Sequence, residues 1–195
     1  MTSIIETAES NQRRAFELIK ELHLEEAWKN YSAQANLVGS LRMGLLIKNL
    51  DIDYHVYSEK FNLSESFSAI AEIAENPGIK KVQYTNLIDT PEKCVEWHLW
   101  FEDLDKREWK IDMIHILKES QYAGVFENIA DRIKATLTGE SKMAILEIKN
   151  QLTSDDNTMG IEVYMAVIRD GINNIHEFRN WKKEQPPAGI IEWTP

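Results

Sequence analysis

Asp51 and Asp53 stand two residues apart in Leu50-Asp51-Ile52-Asp53-Tyr54-His55-Val56-Tyr57, where apolar and polar residues alternate. Alternation with period two marks a strand with one dry and one wet face. Leu50, Ile52, Tyr54 and Val56 fall on the first; Asp51, Asp53, His55 and Tyr57 fall on the second. Carboxylates at i and i+2 then share a face, with Cβ atoms ~6.5–7 Å apart, twice the strand rise. Anions held side by side repel and raise each other's proton affinity unless a cation sits between them. Carboxylate oxygens suit a hard cation such as Mg²⁺, which keeps water and substrate phosphate in its shell.

Upstream lies Val38-Gly39-Ser40-Leu41-Arg42-Met43-Gly44. Glycine lets a backbone approach a ligand closely, and turn amides with a serine hydroxyl can grip phosphate oxygens. Gly39 and Ser40 are therefore candidate phosphate-binding residues, with Arg42 and Lys48 as charges that either contact phosphate or are simply solvated. Asp112 is an isolated acid in the otherwise apolar run Trp109–Ile116. Burying a lone carboxylate is costly, so Asp112 is expected to share the cation or to take a proton from an acceptor hydroxyl. His55, two residues past Asp53, borders this group or is an ordinary polar strand residue. His98 and His115 read as hydrogen-bonded structural histidines. The five histidines show no zinc-type spacing, and the single cysteine, Cys94, reads as a buried strand residue.

The elements that must position these residues follow from periodicity. Residues 8–30 read as an amphipathic helix, Ala33–Val38 as a buried strand ending in a tight Gly39-Ser40 turn, and residues 41–49 as a short helix or loop. Residues 64–75 form a helix that Ser64 can cap, stopped by Asn76-Pro77-Gly78. Three strands follow, Lys80–Ile88, Cys94–Phe101 and Glu108–Ile116, whose short connections imply antiparallel pairing. Beyond Tyr122 the pattern is helical: Phe126–Leu137, Ser141–Leu152, and a long helix from Gly160 to about Lys183 that Pro186-Pro187 ends. Trp193 lies in a tail that either packs or is free. The change of character sets a boundary near residue 118, separating a catalytic region, 1–118, from a C-terminal helical region, 119–195.

Composition sets outer limits. Lys and Arg number 22 against 32 Asp and Glu, a net charge of −10, which repels a phosphate backbone and disfavours a nucleic-acid partner. A lone thiol and the lack of an apolar signal-like start fit a cytoplasmic protein, and no run reaches the ~20 apolar residues that span a membrane. Trp97, Trp100 and Trp109 are core by default, though one on an open face can stack on a base or a ring-shaped acceptor. The stripe Met143, Ile145, Leu146 and Ile148 reads as core or as the seam of a homo-oligomer. Glu96, Glu102 and Asp103 are solvated or attract a cationic acceptor.

Taken together, an apolar residue, Gly39-Ser40, a spacer of residues 41–50, then Asp51-Ile52-Asp53, with Gly44 as a second glycine and Asp112 on a later strand, resembles the signature of the nucleotidyltransferase superfamily. That superfamily includes the DNA polymerase beta-like enzymes and the small antibiotic nucleotidyltransferases. The resemblance covers roughly residues 30–117. It implies an α+β fold with a mixed, largely antiparallel sheet and flanking helices. It also implies two Mg²⁺ ions, an NTP substrate, Asp51, Asp53 and Asp112 as metal ligands, and Asp112 as activator of the acceptor.

Three functions then compete. The first is transfer of a nucleotide, AMP foremost, to a hydroxyl of a small molecule such as an antibiotic, which the acidic balance favours. The second is nucleotidyl transfer to protein or RNA, as in toxin–antitoxin pairs. The third is a non-catalytic nucleotide-binding or partner-binding module, against which the presence of all three acids speaks.

Overall fold

The computed structural model describes residues 3–185 and 193–195. Two helices, α1 (Ile4–Glu21) and α2 (Leu24–Lys29), precede strand β1 (Gln34–Leu37) and a short helix α3 (Gly39–Met43). Strand β2 (Asp51–Ser58), helix α4 (Leu63–Ala74) and strands β3 (Ile79–Leu87), β4 (Cys94–Glu102) and β5 (Glu108–Leu117) complete the first part. Helices α5 (Val125–Thr136), α6 (Gly139–Gln151), α7 (Gly160–Ile168) and α8 (Ile175–Glu184) make up the second.

The five strands form one sheet in the order β1-β2-β5-β4-β3. The β3–β4 and β4–β5 pairs are antiparallel, as short connections require, and so is β1–β2; β2 and β5 run parallel. This is the mixed, largely antiparallel sheet of an α+β protein. Its dry face carries Ile52, Tyr54 and Val56 from β2, Ile111 and Met113 from β5, and Val95, Trp97 and Leu99 from β4. None of these is more than 1% exposed. They pack with α1, α2 and α4 into one core. Burying each such side chain contributes roughly 1.5–3 kcal/mol. A one-residue slip of β2 would drive Asp51 and Asp53 into that core, so the apolar set fixes which way the acids face.

A second cluster joins α5–α8 to Met43, Leu45 and Ile47, with Ala8 near the start of α1. The Met143–Ile148 stripe divides: Ile145, Leu146 and Ile148 are fully buried in this cluster, and Met143 is 37% exposed. Trp193 packs against it, partly buried. The region beyond residue 118 is thereby sealed against the segment between α3 and β2.

Several elements differ from expectation. The helix expected over 8–30 is two, because His23 adopts a left-handed conformation (φ 50°) and turns the chain. Strand β1 is a partly exposed edge strand, since only β2 flanks it. The cap of α4 is Asn62, whose side chain accepts from the Glu65 amide, and Ser64 lies inside the helix. The long helix expected from Gly160 is α7 and α8, parted at Gly171 (φ 71°). Its expected stop, Pro186-Pro187, lies outside the described residues.

Candidate active site

Strand β2 brings Asp51 and Asp53 to the wet face, and the parallel β2–β5 register places Asp112 directly beside Asp53 and Lys110 beside Asp51. Adjacent strands lie about 4.8 Å apart, so the three carboxylates occupy one corner of the sheet. The antiparallel β4–β5 register adds His98 beside Asp112.

The Gly39 bend is stapled to this corner. The Val38 amide donates to the Asp53 carbonyl at 2.8 Å, extending the β1–β2 ladder to the residue before the bend. Gly39 then takes φ +66°, and a Cβ there would lie 2.1 Å from Asp53 Oδ2 and 2.8 Å from its Cγ. Two separate constraints thus demand glycine: a left-handed backbone and the carboxylate pressed against it. Ser40 follows in the first turn of α3, and both residues line the cavity that the acids face.

That cavity has a volume of about 810 Å³. One wall is β2 and β5 with the acids; the opposite wall comes from α5, α6, α7 and the Thr153–Thr158 segment, where Ser154 and Asn157 offer polar groups. Lys149 of α6 enters from below. Its ammonium donates to the Leu45 carbonyl at 2.7 Å and to the Tyr164 hydroxyl at 3.3 Å.

Electrostatics mark the corner as cation-seeking. Among the described residues no hydrogen-bond donor reaches the carboxylates of Asp51 or Asp53. Burial, followed by the negative charges of Asp51 and Asp112, pushes Asp53 up to about 7. Burial and then Asp112 raise Asp51. Burial lowers Lys149 to about 8, although Asp53 and Asp51 pull it the other way. Asp112 is differently placed. Its Oδ1 lies 2.6 Å from His98 Nδ1, and its Oδ2 accepts from Lys110 Nζ at 2.9 Å. As the side chains stand, no three His, Cys, Asp or Glu groups among the described residues close around one ion. The donor set nonetheless fits a hard divalent cation. Asp51 and Asp53 offer hydrogen-bond-free oxygens whose mutual repulsion such an ion would relieve, and Asp112, now paired with the Lys110 ammonium, would be the third carboxylate to hold it.

Arg42 and Lys48 are otherwise engaged. Arg42 forms a two-pronged ion pair with Asp131 of α5 (2.8 Å on each prong) and donates to the Leu37 carbonyl, so it clamps α3 to α5. Lys48 lines the cavity and bonds the Leu152 carbonyl. His55 is buried against Phe126, with ring centroids 4.7 Å apart, and burial lowers its proton affinity. His115 lies on the dry face, 2.7 Å from the Ser58 hydroxyl and 3.2 Å from that of Ser66. His98 is hydrogen-bonded, as expected, and its partner is Asp112 in the acid row. Sequence reasoning missed Lys149 and Lys110. Lys149 sits four residues after Ile145, inside the apolar stripe of α6. That placement, a cation on a buried face, was the available signal.

No protein-family model matches the chain. No curated protein matches it by sequence either. Among solved structures it is similar to the Cid1 poly(U) polymerase bound to MgATP, with a TM-score of 0.59 and 15% identity over 81% of this chain and 49% of that one. It is similar to the GLD-2/RNP-8 complex (TM-score 0.55, 11% identity, 82% of this chain, 58% of that one). It is also similar to a cytoplasmic RNA terminal U-transferase (TM-score 0.53, 15% identity, 82% and 53%). The chain therefore spans about half the length of the structures it matches, and at this identity the likeness is one of fold. With its five-stranded mixed sheet, its Gly-Ser bend against the second acid and its third acid on the parallel neighbour, this chain has the nucleotidyltransferase fold.

Proposed function

We propose that this protein is a metal-dependent nucleotidyltransferase that moves a nucleotide from an NTP to a hydroxyl, and that the hydroxyl belongs to an RNA end. The observation that carries the transfer reading is the convergence of Asp51, Asp53 and Asp112 beside a glycine that the Asp53 carboxylate itself requires. Asp51 and Asp53, with Asp112, would hold Mg²⁺. When bound, the metal neutralises charge on the transferred phosphoryl group and the departing pyrophosphate.

The chain's own residues do the rest. Gly39 and Ser40 line the cavity next to Asp53, where backbone approach and a hydroxyl suit the triphosphate. Lys149 brings positive charge to the same place. Asp112 faces the open side of the sheet and is braced by His98, positioned to take the proton of an attacking hydroxyl. In the transfer, the acceptor oxygen bonds to the α-phosphorus, the bond from that phosphorus to the bridging oxygen breaks, and pyrophosphate leaves. Most of the protein's contribution is positioning and fixed charge.

For the acceptor, the likeness to an RNA terminal U-transferase and a poly(U) polymerase supports RNA over the small molecule expected from net charge. The −10 charge still favours a small or cationic acceptor, and that stays as the second reading. The test is pyrophosphate release from each NTP with Mg²⁺, in the presence of short RNAs or a panel of small hydroxyl compounds. Release that needs RNA and vanishes in Asp53→Asn supports the first reading. Release with a small hydroxyl compound alone supports the second, and release with neither acceptor overturns both.

A further inference from the structure

The cavity reaches His98 on β4, but the wet face of the sheet continues past it to Trp100 and across β3, with side chains the transfer chemistry does not use. The registers arrange them in rows. Lys81, Trp100, Lys110 and Asp51 form one row; Gln83, His98, Asp112 and Asp53 form the next. Trp97 and Trp109 are buried, at 1% and 0% exposure. Trp100, by contrast, is only partly buried, and beyond it Lys81 and Gln83 are exposed. Lys81 Nζ lies 3.9 Å from the Trp100 ring centroid, and Lys110 Nζ lies 5.9 Å from it.

We infer that this row is the acceptor platform: Trp100 stacks on the terminal base of a single-stranded RNA, and Lys81 and Lys110 face its last phosphates. The inference rests on the nucleotidyl-transfer reading. Three features of the row select this occupant. The indole presents a face beside the acid that must meet the acceptor hydroxyl, and stacking on an aromatic face accepts any base. The Lys81 and Lys110 ammonium groups, 3.9 and 5.9 Å from the ring centroid, suit phosphate and repel a cationic aminoglycoside. Finally, a protein of net charge −10 attracts a long polyanion poorly, whereas a patch one residue-row wide engages only the end of a strand, which is the part that reacts. Lys81 shields the ring in the free protein. An exposed cation–π contact is weak enough for a base to displace.

The experiment measures binding of a fluorescein-labelled five-nucleotide RNA to the full chain at low salt, with MgATP binding followed in parallel by calorimetry. Trp100→Ala is expected to weaken RNA binding about ten-fold or more, within the range of one stacked base. Trp100→Phe, which keeps a stacking face, is expected to restore most of it, separating stacking from a folding defect. Lys81→Gln, at an exposed position, is expected to weaken binding a few-fold and to reduce its salt dependence. RNA binding that is the same in wild type and Trp100→Ala overturns the platform. So does wild-type protein that binds MgATP without binding RNA, and in that case the transfer reading survives. Loss of both ligands in the wild type overturns the two together.

Discussion

Replacing Asp53 by Asn should make the metal-free protein more stable while removing its metal-dependent activity. Asp53 sits partly buried against Asp51 and Asp112, and its proton affinity is raised to about 7. An acid whose folded-state value exceeds its ordinary value near 4 binds more protons folded than unfolded. Its cost to stability is absent below about pH 4, grows as the pH rises through 4 to 7, and is fully present above 7. Three pKa units correspond to at most about 4 kcal/mol at 1.36 kcal/mol each. Partial exposure and salt reduce this to roughly 1–3 kcal/mol. For a chain of this size that is about 3–10 °C in melting midpoint. Asn keeps the shape against Gly39 and removes the charge. The assay is thermal unfolding of wild type and Asp53→Asn in chelator at pH 4.5 and pH 8, then at pH 8 with millimolar Mg²⁺. The variant should gain on wild type from the lower to the higher pH. Mg²⁺ should raise the wild-type midpoint and leave the variant nearly unmoved. A variant no more stable than wild type at pH 8, or an advantage equal at both pH values, would refute the idea that three crowded carboxylates await a cation.

Gly39→Ala places a methyl group 2.1 Å from Asp53 Oδ2 on a left-handed backbone. We expect a loss of roughly 2–4 kcal/mol in unfolding free energy and no Mg²⁺-dependent nucleotide binding; a variant that melts and binds like wild type would mean the bend is free to move. Lys149→Met removes a partly buried cation near Asp51 and Asp53. It should therefore tighten Mg²⁺ alone and weaken ATP⁴⁻, each by roughly ten-fold, as a unit charge acting over a few ångström implies. Calorimetry showing both ligands shifted in the same direction would exclude the electrostatic role. Arg42→Ala breaks the pair to Asp131, and about 0.5–1 kcal/mol of stability should go with it. A MgATP affinity within about two-fold of wild type agrees with a clamp, and a loss beyond ten-fold would return Arg42 to the phosphates.

Legibility in the sequence followed the range of the physics. Strand β2 and its two faces were readable because alternation is a local pattern and the buried members, Ile52, Tyr54 and Val56, are consecutive odd-step neighbours of the acids. The break at His23 was not readable, since nothing in an amphipathic pattern marks a left-handed histidine. The split between α7 and α8 had a sign in Gly171, which an apolar stripe on either side obscured. Cap identity failed for a similar reason: Asn62 and Ser64 are both competent caps, and the backbone turn chooses between them.

By itself, the sequence determined that Asp51 and Asp53 share a wet strand face behind a Gly-Ser bend, because spacing along a strand dictates direction. Only the tertiary structure decided that Asp112 lies in the same row as Asp53, that Lys149 comes up from a helix to meet them, and that Arg42 turns to Asp131. Those outcomes depend on register between strands and on which helix face packs where. Both are set by the fit of two separate apolar cores rather than by any residue's immediate neighbours in the chain.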